Sequence, residues 1–202
     1  MLCSNCYHKT FSELESRCYK CNKITSQNRV CTSCASSSRI RRAWWLAPYG
    51  GVAKDLIRQT KFSRKRGYAR KLGEYLADSL PYLPENTIVV SAPTASARVR
   101  RRGFDHAQLI AQSFANQRHL AYKNILIRRS QDDQIGKRRL ERIKQMQNSI
   151  SIKNSADIKG KTILLIDDVI TTGATVEAAA TILRSQGASH VDVAVISRHL
   201  LG

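Results

Sequence analysis

Ile163-Leu164-Leu165-Ile166-Asp167-Asp168-Val169-Ile170-Thr171-Thr172-Gly173-Ala174-Thr175 is the stretch on which the reading of this chain turns. It opens with uninterrupted apolar residues, the pattern of a strand buried on both faces of a parallel sheet. Two carboxylates follow at the expected end of that strand, then a short loop of hydroxyls with one glycine. Val176, Ala179, Ala180 and Leu183 next fall on one helical face at i, i+3, i+4 and i+7. A strand, a polar loop and a helix N-terminus together make an anion site, because backbone N–H groups and the helix dipole point into the loop. Thr171, Thr172 and Thr175 add hydroxyl donors, and Gly173 lets the backbone come close to a phosphate.

The paired aspartates set this loop apart from an ordinary phosphate loop. Carboxylates repel a phosphate unless they serve vicinal hydroxyls or a divalent cation. A ribose 5-phosphate carries hydroxyls and phosphate at about that separation. The competing reading is a βα turn that merely carries two acids and a capping threonine. The stretch closely resembles the motif by which type I phosphoribosyltransferases bind phosphoribosyl pyrophosphate (PRPP). That resemblance implies that Asp167 and Asp168, the catalytic acids, face the ribose 2- and 3-hydroxyls. It implies too that Thr171, Thr172, Gly173, Ala174 and Thr175 hold the 5-phosphate, and that Mg²⁺ enters with PRPP. The expected fold class is α/β, a type I phosphoribosyltransferase-like parallel sheet flanked by helices, with a small N-terminal zinc-ribbon module.

The chain has 202 residues, 42% of them hydrophobic, which suits one ordinary domain and a small appendage. No apolar run is long enough to cross a bilayer. Cysteines stand where a signal peptide would carry an apolar stretch, so a cytoplasmic location is expected. The net charge of +19 creates a long-range positive potential that attracts polyanions, nucleic acid above all. A proteome that is basic throughout is the alternative source of such a charge.

All six cysteines fall in C-x-x-C pairs: Cys3 and Cys6, Cys18 and Cys21, Cys31 and Cys34. Each pair brings two thiolates to one side of a tight turn, half of a tetrahedral zinc site. Disulfides are disfavoured in a reducing compartment, and so short a loop makes a poor stabilising crosslink. We expect Cys18, Cys21, Cys31 and Cys34 to form one closed structural zinc site, with Cys3 and Cys6 left over beside His8. A site built from the first two pairs is the runner-up. With few apolar residues here, metal binding would supply most of the local folding free energy. The serine- and arginine-rich stretch from Ala35 to Arg42 marks the expected boundary between a zinc module at 1–38 and a second domain at 39–202.

In the body of the chain, Ala43 to Pro48 reads as a strand, and Gly50-Gly51 as a turn into a helix ending near Phe62. A basic run, Lys61 to Lys71, leads into a helix with Ala69, Leu72, Leu76 and Leu80 as its stripe, closed by Pro81 and Pro84. Thr87 to Ser91 is a β-branched internal strand. The loop after it carries Arg98, Arg100, Arg101 and Arg102 and lies on the same sheet edge as Asp167 to Thr175, where open α/β sheets bind ligands. Guanidinium groups pair bidentately with pyrophosphate oxygens, and Arg98 and Arg102 are the expected pyrophosphate ligands. A helix from about Gly103 buries Phe104, Ala107, Ala111 and Phe114. Lys123 to Arg128 reads as one strand, and the charged stretch 129–147 as a solvated helix, where the phosphoribosyltransferase resemblance implies a mobile flap instead; Ile150 and Ile152 fit a short strand or β-arm rejoining the sheet. Val191 to Ile196 is the final strand.

Ala47-Pro48-Tyr49, Lys61-Phe62, Arg98 to Phe104 and Asp167 to Thr175, in that order behind cysteine pairs, resemble the ComF family, phosphoribosyltransferase-like proteins associated with DNA uptake in natural competence. The similarity runs along almost the whole chain, with one departure: Asp105-His106 replaces the usual Asn-Gln. His106 is either a proton carrier or hydrogen-bond donor beside the ligand, or a structural helix-start histidine. The resemblance implies a protein that binds PRPP with Mg²⁺ and single-stranded DNA and acts in transformation; a third reading is a regulator that binds a nucleotide and docks a helicase or another competence protein through the zinc module. The alternative is a phosphoribosyltransferase of nucleotide salvage that turns over. No segment marks the acceptor.

Overall fold

The computed structural model describes residues 4–11, 15–62, 65–128, 150–153 and 157–199. The expected flap at 129–147 lies outside them. The described elements are α1 (Ser4–Thr10), α2 (Thr32–Ala35), β1 (Arg42–Pro48), α3 (Gly51–Phe62), α4 (Arg66–Ser79), β2 (Thr87–Ser91), α5 (Ser96–Arg102), α6 (His106–Gln117), β3 (Ala121–Lys123), β4 (Leu126–Arg128), β5 (Ile150–Ile152), β6 (Thr162–Ile170), α7 (Ala174–Ser185) and β7 (His190–Arg198).

Five strands form one sheet in the order β1-β7-β6-β2-β3, and every described pairing in it is parallel. The apolar runs are continuous because both faces are covered. Ile163, Leu165, Val191, Val193 and Val195 pack on one face with Val176, Ala179 and Leu183 of α7, and with Tyr19 and Ile40 from the N-terminal segment. Leu164, Ile166, Ala194 and Ile196 pack on the other with Ile57 of α3, Leu72 and Leu76 of α4, and Ile110 and Phe114 of α6. Each such aliphatic side chain, taken fully out of water, stabilises the fold by about 1.5–3 kcal/mol. Helices α4 and α6 touch through Gly73, where an added Cβ would stand 2.4 Å from the Ile110 carbonyl oxygen. No helix among the described residues is long and apolar enough to cross a membrane.

Several boundaries differ from expectation. Strand β6 does not stop at Ile166 but runs to Ile170, held by β7 through Asp167↔Val195, Val169↔Ser197 and Ile170↔Arg198. The aspartates therefore belong to a strand rather than to a loop. The arginine-rich stretch is not a loop either: Ser96–Arg102 is helical, closed by Gly103 at φ 79°. The following helix begins at His106, and its cap is Asp105, whose carboxylate accepts from the backbone N–H groups of Ala107 (3.0 Å) and Gln108 (3.3 Å). Phe104 consequently sits outside the helix and is only half-buried. Lys123 to Arg128 splits into two strands, β3 beside β2 and β4 beside β5, because the chain leaves the main sheet at Asn124. Ile150 and Ile152 pair antiparallel with β4 in a separate two-stranded sheet rather than rejoining the large one.

Candidate functional site at the carboxyl ends of β2 and β6

Strands β2 and β6 are neighbours, but their connections leave to opposite faces: α6 follows β2 on one side and α7 follows β6 on the other. Such a switch point opens a crevice beyond the carboxyl ends of the strands. Every expected ligand-contacting segment among the described residues arrives there.

Asp168 points to the face of α3 and α6 and is buried, at 6% exposure. Its Oδ2 is ion-paired with Lys61 Nζ, from the last turn of α3, and lies 3.2 Å from His106 Nε2, at the start of α6. His106 Nδ1 lies 3.0 Å from Arg102 Nη1. A guanidinium only donates, so Nδ1 accepts and the imidazole proton sits on Nε2, the nitrogen that faces Asp168 Oδ2. Burial by itself would raise the Asp168 carboxyl, but the His106 hydrogen bond and the Lys61 charge hold it well below the usual carboxylate range. Asp168 is thus an anion at neutral pH, set in a row running Arg102, His106, Asp168, Lys61.

Asp167 points the other way, partly exposed, and its Oδ1 accepts from the Asp168 N–H at 2.8 Å. Desolvation and the neighbouring Asp168 charge push this carboxyl well above its ordinary value. Two adjacent acids are driven apart by their surroundings: one stays charged, the other takes up a proton readily.

Thr171 and Thr172 are exposed in the turn after β6. Thr172 Oγ1 accepts from the Ala174 N–H at 3.4 Å, and Gly173, buried and at φ 77°, caps α7. Ala174 and Thr175 form the first turn of that helix, so its positive dipole end opens on the loop. Across the crevice, Arg98 and Arg102 stand one helical turn apart on α5, the first exposed and the second half-buried. Burial depresses the Arg102 guanidinium, and the Arg98 charge depresses it further, while Asp168 works in the opposite sense. Arg128, in β4, behaves alike: burial first and then Arg98 lower it, and Asp167 raises it. Three guanidinium groups therefore crowd one side of the crevice, a place that favours a polyanion.

Sequence reasoning expected the acids, the threonine loop, Arg98 and Arg102. Lys61 and His106 stand in the sequence with no sign that they meet Asp168, and Arg128 reads there only as a strand residue. The one available signal was the departure Asp105-His106, which placed an N-cap and an imidazole where the usual amides stand.

Beside the same edge lies a cysteine cluster. The sulfurs of Cys18, Cys21, Cys31 and Cys34 all lie within 4.8 Å of one another. A tetrahedral ion with Zn–S bonds of about 2.3 Å needs sulfur–sulfur separations of about 3.8 Å, so this donor set fits one such ion. Burial would raise the Cys18 thiol, but backbone N–H groups of Cys31, Cys21 and Lys20 bring it down to about 6, which prepares it as a thiolate ligand. Cys6 stands exposed on α1, outside the cluster. Cys3 and the side chain of His8 lie outside the described residues. Arg198, buried at 1% exposure at the end of β7, donates to Asn22 Oδ1 at 2.9 Å and lies 4.8 Å from the Trp45 ring centroid.

A family model described as phosphoribosyl transferase domain matches residues 69–200, which hold the acids, the threonine loop and the arginines but neither Lys61 nor the cysteines. Over 198 residues the chain is 29% identical to the competence protein ComFC of Bacillus subtilis strain 168, covering 92% of this chain and 79% of that one. It is 26% identical over 207 residues to the DNA utilization protein YhgH of Escherichia coli K12, covering 98% and 91%. With the competence protein ComFC of Streptococcus pneumoniae it shares 29% over 196 residues, covering 94% and 84%. The chain belongs to the phosphoribosyl transferase domain family, and competence and DNA-utilization proteins are its relatives over most of its length.

Proposed function

We propose that this protein binds PRPP as its magnesium complex in the crevice between β2 and β6, and holds single-stranded DNA on the adjoining basic surface, in the service of DNA uptake. The observation that carries the reading is the pairing of opposite chemistries across one crevice: two acids and a hydroxyl loop on one side, three guanidinium groups on the other. A phosphoribosyl pyrophosphate has vicinal hydroxyls, a monophosphate and a pyrophosphate, and each finds a matching group.

In this reading the Thr171–Thr175 loop takes the 5-phosphate, and Asp167 and Asp168 take the ribose hydroxyls. Lys61 and His106 keep Asp168 charged and oriented for that role. Arg98, Arg102 and Arg128 pair with the pyrophosphate. Should a nucleophile attack the anomeric carbon, the carbon–oxygen bond to pyrophosphate breaks, and these guanidinium groups stabilise the charge on the departing group. The DNA arm rests on the net charge of +19 and on Arg98, Arg100 and Arg101, all exposed on α5 beside the crevice.

Thermal unfolding tests the pocket: PRPP with Mg²⁺ raises the melting temperature, and Asp168→Ala or Thr172→Ala removes the rise. A shift that survives in both variants would show the ligand to be elsewhere. Turnover is read separately, as pyrophosphate released from PRPP when nucleobases or DNA are supplied.

A further inference from the structure

The cysteine knuckle does not hang beside the phosphate loop; it leans on it. Tyr19, set between Cys18 and Cys21, is 4% exposed and belongs to the same apolar cluster as Val176 of α7. A Cβ added at Gly173 would stand 3.1 Å from Tyr19 Cε2, so the tyrosine ring forms the wall against which the loop's glycine rests. The Tyr19 hydroxyl donates to Glu177 Oε1, in the first turn of α7. The same glutamate accepts the Arg39 backbone N–H at 3.0 Å and has Lys20 Nζ at 3.6 Å. A carboxylate this close to a phosphate loop would repel the anion. Here it is engaged by three groups, all from the N-terminal segment that carries the metal ligands.

We propose that Tyr19 is a positioning residue of the phosphate-binding loop, so that the four-cysteine knuckle, when it holds its metal, sets how tightly the chain takes the 5-phosphate of its ligand. The inference rests on the phosphoribosyl reading above and adds a residue and a dependence to it. Metal ligation fixes the turn from Cys18 to Cys21, the turn fixes the tyrosine ring, and the ring fixes Gly173 and Glu177. The pyrophosphate side, built from α5 and β4, has no such link to the knuckle among the contacts described.

The two sides can be probed apart. Calorimetric titrations of the zinc-loaded full chain use ribose 5-phosphate, inorganic pyrophosphate with Mg²⁺, and PRPP with Mg²⁺. Tyr19→Ala is expected to weaken ribose 5-phosphate by about tenfold, in the ordinary range of coupling between sites, and pyrophosphate not at all. Tyr19→Phe keeps the ring and its packing and loses only the hydroxyl contacts with Glu177 and Ser38, so a smaller loss in the same direction is expected. Lys23→Ala, in the same knuckle but facing solvent, leaves all three ligands unchanged. Zinc content is measured for each variant. Stripping the metal from the parent reproduces the Tyr19→Ala loss, and stripping it from Tyr19→Ala adds little, because both act through one contact. A zinc-replete Tyr19→Ala protein that binds ribose 5-phosphate like the parent overturns the proposal. Equal loss for ribose 5-phosphate and pyrophosphate overturns it too, by showing general loosening. A parent that binds none of the three probes sinks the phosphoribosyl reading itself, an outcome visible before any variant is made.

Discussion

Asp168 is buried between groups from two separate helices: the Lys61 ammonium closes α3, while the His106 imidazole opens α6 with the Arg102 guanidinium of α5 behind it. A buried carboxylate stripped of one partner loses more than a contact, because its own desolvation is no longer offset. Lys61→Met should therefore destabilise the protein by about 2 kcal/mol, less than for a wholly buried pair because the lysine keeps some solvent access. The double variant Lys61→Met/Asp168→Asn should recover most of that loss in urea unfolding. If the two substitutions simply add, the pair is not a stabilising unit. The histidine supplies a second test at this scale. His106→Gln keeps a donor for Asp168 and should retain PRPP-induced thermal stabilisation, whereas His106→Leu should reduce it.

Helices α4 and α6 approach closely because position 73 has no side chain, and their contact holds α6, hence His106, against the carboxyl end of β6. Gly73→Ala places a methyl 2.4 Å from a backbone oxygen and 2.7 Å from Ser113 Cβ, neither of which is the free end of a flexible chain. A loss of about 1–3 kcal/mol is expected, the usual scale of overpacking. It should be seen as a lower urea midpoint with unchanged slope. The N-terminal knuckle is an element of another kind. Its apolar anchors are few, so a strong chelator should lower the melting temperature and expose the 15–38 segment to proteolysis while the sheet persists. Chelation without effect on either measurement would mean that the cysteine cluster does not depend on metal.

Across the whole molecule, 34 basic residues against 15 acidic ones give a field that has no sequence preference of its own. Binding to single-stranded DNA should accordingly fall steeply with salt, the logarithm of the affinity dropping by about 0.7 per phosphate neutralised for each unit in log salt. Replacing both Arg100 and Arg101 by alanine should flatten that slope by about one to two contacts' worth and leave PRPP binding unchanged. Salt-independent binding, or an unaltered slope in the double variant, would exclude α5 as the DNA surface.

The sheet, its buried strands and the hydroxyl-rich turn into α7 were legible in the residues because their signals are contiguous: an apolar run, two acids, then hydroxyls, a glycine and a helical stripe within one short stretch. So were the cysteine pairs, whose chemistry depends on a fixed local spacing. Strand ends were not, since β6 continues past its acids only because β7 lies alongside to pair with it. Nor was the helicity of Ser96–Arg102, where consecutive arginines carry no apolar period to reveal it. The partners of Asp168, the approach of Arg128 to Asp167 and the seat of Tyr19 against Gly173 were decided by tertiary structure alone. These groups come from elements far apart along the chain, 158 positions apart for Tyr19 and Glu177. The sequence determined which chemical groups the protein owns. Folding around a parallel sheet decided which of them meet, because that topology gathers the carboxyl ends of all its strands, and the loops that follow, on one edge.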